Sequence, residues 1–457
     1  MFTDVNASPG SGASAPAREA TPTAVTVVAL AFLFNFLGRG VADAFSAFIL
    51  PLEAEFGWSR QSMTGVFATY MLMAGLAAPA AGALFDRFGP RAVYGGGLAL
   101  LGGGAWLAGR IDALWQLYAS AGLMIGTGVA ALGMVCAATL IGRWFTRSLA
   151  TAISIAYSGF GCGILLMLPL VQYLIGTLGW RGAYQAVGLF VLTLVPICLA
   201  LPWARLAGRP REVATVAVPV AGAVAGAGSG TGSGTGTGSG VVRPWGSPPG
   251  DWTLPSAMRS VAYWRLIQVF FFTSVGIYCV SPQIVAFLTE SGFTPISAAG
   301  AFGFAGLLST GGMIVTGWLA DRIGFARAAL LSFGLTSAGI LGLLAVSYTA
   351  SLAALAGYVV FFGIAQGARG PIVSTMSNRI FAGRSAGTIY GTIYAAMSVG
   401  GACGSLAGGV LHDATDGYRA VFALSLAAIA LAAEPFRPGA ALAGATEARR
   451  EAPRIPA

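Results

Sequence analysis

The sequence has no lysine and a single histidine, His412. A catalytic or metal site built on several histidines is therefore unavailable. Charged residues of every kind make up 9% of the 457 residues, against about 25% in soluble domains. So little charge cannot keep a surface of this size in water, and the chain belongs in lipid. Cysteine is sparse as well. Cys136, Cys162, Cys198, Cys279 and Cys403 lie far apart inside apolar runs and form no CxxC pair, so neither a disulfide framework nor a thiolate metal site is implied. No phosphate-cradling loop and no nucleophile–base cluster is evident, which argues against an ATP-driven machine and against a membrane enzyme. No cofactor or metal is expected.

What is present is apolar sequence: 56% hydrophobic residues and a mean hydropathy of +0.77. A spanning helix needs roughly 20 mostly apolar residues. Twelve stretches qualify, at about 24–50, 62–85, 92–109, 113–140, 149–176, 183–203, 262–289, 297–320, 328–346, 351–377, 386–410 and 419–436. Glu434-Pro435 cuts the last one short. Residues 204–260 form the one long hydrophilic segment, and their Gly/Ser/Thr repeat at 226–240 reads as a flexible linker. The expected organisation is a disordered tail at 1–23, a six-helix bundle at 24–203, the linker, a second six-helix bundle at 261–436, and a tail at 437–457. The run after residue 23 is too long for a signal-peptide core, so the first helix is expected to be retained.

All 25 basic residues are arginine, and their placement orients the chain. With the N-terminus inside, nineteen fall in inner segments, whereas only Arg60, Arg110, Arg181 and Arg419 fall outside. Both termini are therefore expected on the cytoplasmic face. The same distribution accounts for the net charge of +9 without a nucleic-acid partner. Arg39 and Arg369 remain, each in the middle of an apolar run.

A short charged turn occurs twice. Gly82-Ala83-Leu84-Phe85-Asp86-Arg87-Phe88-Gly89-Pro90-Arg91 separates the second and third stretches. Gly317-Trp318-Leu319-Ala320-Asp321-Arg322-Ile323-Gly324 separates the eighth and ninth. Glycine, aspartate, arginine and glycine keep their spacing, so the chain reads as a duplication of one membrane unit. The turn G-x-L-x-D-R-x-G-x-R resembles the signature loop of the major facilitator superfamily of transporters. Phe45 to Arg60, Arg143-Trp144-Phe145, Gly179-Trp180-Arg181 and Gly387 to Gly391 are similar to the bacterial monocarboxylate-type and oxalate/formate-type branch. The resemblance covers about 30–420 and implies an all-α fold of twelve membrane helices in two pseudo-symmetric bundles. It also implies proton-linked or exchange transport of small carboxylates. A bacterial plasma membrane is the expected location and a monomer the expected state, since the contact between halves already satisfies this fold; the sequence does not fix the oligomeric state. The sequence departs from the branch in several places. Met313 stands where that branch often has a helix 8 arginine, the helix 11 lysine has no counterpart, and Asp43-Ala44 replaces an acid-glycine pair.

A charge at membrane depth costs a few kcal/mol, so by default it faces a cavity or a partner. Arg39 lies about 15 residues, or roughly 22 Å, into the first stretch, and Arg369 precedes Gly370-Pro371 in the tenth. In the resembling family helices 1, 4, 7 and 10 line the central cavity, so the two arginines are expected to approach one another from opposite halves. Two guanidinium groups there would hold a carboxylate. Asp43, one turn from Arg39, is either a proton carrier or a counter-ion, and Asn35 is one turn the other way. Tyr70, Tyr278, Gln283, Gln366, Tyr390 and Tyr394 are candidate hydrogen-bond donors to substrate; a tyrosine is equally an interface anchor. Asp86 and Arg87, with Asp321 and Arg322, would by resemblance gate the cytoplasmic side, on turns set by Gly82, Gly89, Gly317 and Gly324; Arg91 would contact helix ends or acidic lipid. Transport of a non-carboxylate solute, such as a drug or sugar, and a transport-inactive sensor on the same fold stay open as alternatives.

Overall fold

The computed structural model describes residues 22–145, 149–206, 252–367, 369–381, 386–440 and 442. Most of the tails and of the 204–260 linker expected from sequence lies outside the described residues. Within them the chain is helical and carries no strand. Nine runs are long and apolar enough to cross a membrane; one of them, Ile155–Ala200, holds two spans, because Gly179 (φ 71°) breaks it. Leu352–Gln366 and the stretch following Gly89 are shorter. With these, each of the twelve apolar stretches is helical.

The duplicated turn has one backbone solution in both copies. Arg60–Ala108 bends at Gly89 (φ 79°, ψ 173°), and Gly324 (φ 94°, ψ 153°) separates Pro295–Ile323 from Phe325–Val346. Both angle pairs fall in a region that is essentially closed to side-chain-bearing residues, which is why glycine ends the motif twice. Arg87 and Arg91 are exposed. Arg87 lies over the Phe88 ring at 5.2 Å and Arg322 over Trp318 at 4.2 Å. The side chains of Asp86 and Asp321, and the environment of Gly317, lie outside the described part, so the gating role of these loops stays an expectation.

Glycines place the helices by letting backbones touch. A Cβ on Gly159 or Gly163, in the fifth span, would lie 2.4 Å from the carbonyl oxygens of Phe32 and Phe36 in the first. In the second half Gly400 and Gly404, in the eleventh span, meet the carbonyls of Phe271 and Val275 in the seventh at 2.4 and 2.6 Å. The same small-residue contact is thus used in both halves, as a duplicated unit requires. Backbone cannot move aside as a side chain can. Gly163→Leu is expected to cost at least the roughly 1–3 kcal/mol typical of overpacking. A lowered unfolding midpoint of the purified protein would show it, with Gly176→Leu, where nothing lies within 4 Å, unchanged.

The halves meet along two seams. The second span packs on the eleventh, where Ser405 Oγ donates to Thr64 O at 2.8 Å. The fifth packs on the eighth, where a Cβ on Gly161 would lie 2.4 Å from Gly306 O.

The spans that begin each group of three are all interrupted. The first breaks between Pro22–Asp43 and Phe45–Phe56, and the fourth at Gly133, between Ile125–Leu132 and Met134–Gly142. The seventh passes from Val261–Tyr278 through a 3-10 turn, Ser281–Gln283, to Ile284–Glu290. The tenth breaks between Leu352–Gln366 and Arg369–Ile380. Broken helices at membrane depth are tolerated where they are buried in protein or line a cavity. Arg39 and Asp43, Tyr278 and Gln366 all sit beside such breaks.

Candidate functional site

Arg39 is the hub of a small cavity at the boundary of the halves. Its Nε donates to Asp43 Oδ2 at 2.6 Å, one helical turn along the same face. Nη1 donates to Tyr70 Oη of the second span at 3.3 Å, and Nη2 to Tyr278 Oη of the seventh at 2.9 Å. The last bond crosses from one half to the other. Each phenol accepts from the guanidinium and keeps its own proton to donate elsewhere. Asp43 is 3% exposed and Arg39 20%, so the arginine is the member of the pair open to the cavity.

Arg39, Asp43, Phe67, Tyr278, Ser281, Phe302 and Gln366 line that space, which has room for about one water molecule. The first, second, seventh, eighth and tenth spans supply these residues. Of helices 1, 4, 7 and 10 expected from resemblance, the first, seventh and tenth line this space together with Phe67 and Phe302 of the second and eighth, and the fourth supplies Ala121 and Ile125 to the adjoining space beside Phe67 and Tyr70. Gln366 Oε1 is buried without a partner among the described residues, leaving one acceptor unsatisfied on a residue that lines the same space as Arg39.

Other expected site residues are placed differently. Asn35 donates from Nδ2 to Ala31 O at 2.8 Å and to Ala156 O at 3.3 Å, so it ties the first span to the fifth. Gln283 Nε2 donates to Cys279 O at 2.8 Å, serving a carbonyl near the break in the seventh span, and Ser281 lines the cavity in its place. Tyr394 Oη donates to Met134 Sδ at 3.5 Å, a contact between halves, and its ring lies 6.2 Å from that of Tyr390. Neither tyrosine lines the cavity.

The expected meeting of Arg39 with Arg369 is also corrected. Arg369 is 3% exposed and turned into its own half. Its Nε donates to Ser332 Oγ at 3.2 Å, and its Nη2 to Ser332 O at 3.4 Å and to Thr336 Oγ1, all in the ninth span. The guanidinium lies over the Phe333 ring at 4.9 Å. The two arginines share no partner among the described residues.

A second polar cluster, at the end of the bundle opposite Pro22, had no sequence signal beyond one loop arginine. Arg60 grips Glu53 with two bonds, Nε to Oε1 at 2.6 Å and Nη2 to Oε2 at 2.9 Å. It also reaches the other half, donating from Nη2 to Glu290 Oε1 at 2.7 Å and from Nη1 to Tyr418 Oη at 2.5 Å. Tyr418 donates onward to Glu290 Oε2 at 2.8 Å, and Gln61 N donates to Asp413 Oδ2 at 2.8 Å. His412 packs its ring 4.7 Å from that of Tyr418. Arg60 is only 4% exposed, an unusual burial for an arginine at a helix start. Glu53, seven residues earlier, was the nearest available hint.

Residues 28–368 match the family model of the Major Facilitator Superfamily. The chain belongs to this superfamily. It is 27% identical over 404 residues to monocarboxylate transporter 13 of Bos taurus, covering 87% of this chain and 85% of that one. It is 28% identical over 417 residues to monocarboxylate transporter 11 of Homo sapiens, covering 87% and 79%. Two crystal structures of a bacterial homolog to the human lysosomal transporter Spinster, both inward-facing, share the fold. The unoccupied form superposes with a TM-score of 0.61 at 16% identity over 92% of this chain and 94% of that one. The occupied form gives 0.66 at 15% over 94% and 99%. This major facilitator protein is thus a multi-pass membrane transporter rather than an enzyme.

Proposed function

We propose that this transporter moves small organic anions, monocarboxylates among them, by alternating access around Arg39. One observation carries the reading: a guanidinium at membrane depth, open to a cavity between the halves, bonded to Asp43 in its own half and to Tyr278 in the other. An entering carboxylate takes the place of Asp43 on Arg39, where it gains two charge-assisted hydrogen bonds, and the phenol protons of Tyr70 and Tyr278 serve its remaining lone pairs. Displaced Asp43 then stands buried and unpaired, so it takes up a proton. That exchange couples an acid to a proton in symport, or one acid to another in exchange. The monocarboxylate transporters to which the chain is similar support the substrate class. The cavity is too small to admit even a small acid as it stands, so the halves must separate for substrate to enter. The Arg60 cluster at one end is the contact that must break for opening on that side. The arginine distribution supports both chain ends on the cytoplasmic face, which would place this cluster at the outer mouth.

A second reading rests on the same pair. Asp43 already neutralises Arg39, which suits a neutral solute bound through Gln366 and the tyrosines. Uptake of a panel of radiolabelled mono- and dicarboxylates into proteoliposomes, with and without an inward proton gradient, separates the two. Saturable uptake of an acid supports the carboxylate reading, and its gradient dependence distinguishes symport from exchange. Absence of uptake of every acid by folded protein would sink it in favour of a neutral solute.

A further inference from the structure

Of the two intramembrane arginines, Arg39 is paired with a carboxylate, and Arg369 has no such partner among the described residues. Every partner of the Arg369 side chain among the described residues is neutral: the Ser332 hydroxyl and carbonyl, the Thr336 hydroxyl and the Phe333 ring. No described carboxylate touches it. Its Nη1 is buried with no hydrogen-bond partner among the described residues, on a side chain that is 3% exposed.

A buried charge is tolerated when it is paired, and an unmade hydrogen bond from a charged donor is among the costlier defects in a protein interior. Neutral hydroxyls satisfy geometry on one edge of the guanidinium but bring no opposite charge. The fork has therefore been oriented by the ninth span, through Ser332 and Thr336 one turn apart, and presents its free edge elsewhere. We infer that Arg369 is an anion site of its own, separate from the Arg39 cavity, which binds a small monovalent anion on Nη1. Two sources share that chemistry: an inorganic halide, and the carboxylate of a short acid. The aromatic face of Phe333 and the two hydroxyls hold the arginine whether or not the anion is present, so the site persists through exchange of its occupant. An anion here also neutralises the inner half of the tenth span, so occupancy is expected to stabilise the fold.

The test uses full-length protein purified in detergent, with two probes, chloride and acetate, each titrated at constant ionic strength against methanesulfonate. The readouts are the thermal unfolding midpoint and, for chloride, direct binding of the radiolabelled ion. A midpoint that rises saturably with one or both anions is expected for the wild type and for Arg39→Gln; the chloride response is lost in Arg369→Gln, and the acetate response, which the Arg39 cavity also supports, is lost in the double variant Arg39→Gln/Arg369→Gln. Response to chloride alone identifies a halide site; response to acetate alone identifies a carboxylate site. Should Arg369→Gln fail to fold, Arg369→Lys, which keeps the charge but not the fork, is expected to weaken the half-saturating concentration by about tenfold. No saturable anion response in the wild type would overturn the assignment. So would a chloride response that persists unchanged in the Arg369 variants, an acetate response that persists in Arg39→Gln/Arg369→Gln, or a response to both anions that disappears with Arg39→Gln alone.

Discussion

Arg39→Gln is expected to lower kcat/KM for carboxylate uptake by about a hundredfold, since hydrogen bonds to a charged group are worth roughly 1.5–3 kcal/mol and the variant loses the charge itself. The side chain of glutamine is long enough to keep one polar contact in the cavity, so the protein is expected to fold. Asp43→Asn should behave differently. It leaves Arg39 positive and unopposed, so acids bind at least as tightly and counterflow of labelled against unlabelled acid continues. Accumulation driven by a proton gradient is lost, because an amide takes up no proton. Measuring gradient-driven uptake and counterflow side by side on both variants checks the pair. Undiminished proton-driven accumulation by Asp43→Asn would remove Asp43 from the coupling step and leave it a counter-ion.

Arg60→Ala is the second large effect. Its bidentate grip on Glu53 lies within one half and does not resist separation; only the bonds to Glu290 and Tyr418 do. Glu290 is 39% exposed, so solvent screens that ion pair to about 1 kcal/mol or less. The hydrogen bond to Tyr418 adds about 1 kcal/mol more. Removing Arg60 also leaves Glu53 and Glu290 facing one another, which favours opening. Together these terms move the equilibrium by roughly 2–3 kcal/mol, or about 30- to 150-fold, toward the state open at that end. Thr64→Cys with Ser405→Cys, in a background with the five native cysteines replaced by alanine, reports on it. The pair lies where the second and eleventh spans touch. Efficient crosslinking is expected with Arg60 present and a large loss with Arg60→Ala. Glu290→Gln, whose amide oxygen still accepts from Arg60 but whose amide nitrogen cannot accept from Tyr418, should fall in between. Equal crosslinking in all three would mean that the seam, and not the charged cluster, holds that end closed.

Much of the architecture was legible because it depends on local properties. Hydropathy over some 20 residues locates spans, and the turns at Gly89 and Gly324 require a positive φ that only glycine adopts cheaply. Gly159 and Gly163, like Gly400 and Gly404, stand four residues apart, and the packing uses that spacing in matching fashion in both halves. The site was only partly legible. Arg39, Asp43, Tyr70, Tyr278 and Gln366 do come together, whereas Asn35 turns to the fifth span and Arg369 to the ninth. A polar residue in an apolar run announces that it needs a partner; its rotation about the helix axis decides which one.

The sequence alone determined that this chain lives in a membrane, that its two halves repeat one unit, and that a few charged residues lie at depth. Those properties follow from composition and from the conformational freedom of single residues. Only the tertiary structure decided that Arg39 bonds Tyr278, 239 residues away, and that Arg60 bonds Tyr418 at a separation of 358. Such pairings form when helices from different halves pack side by side, and no local pattern along the chain records which faces will meet.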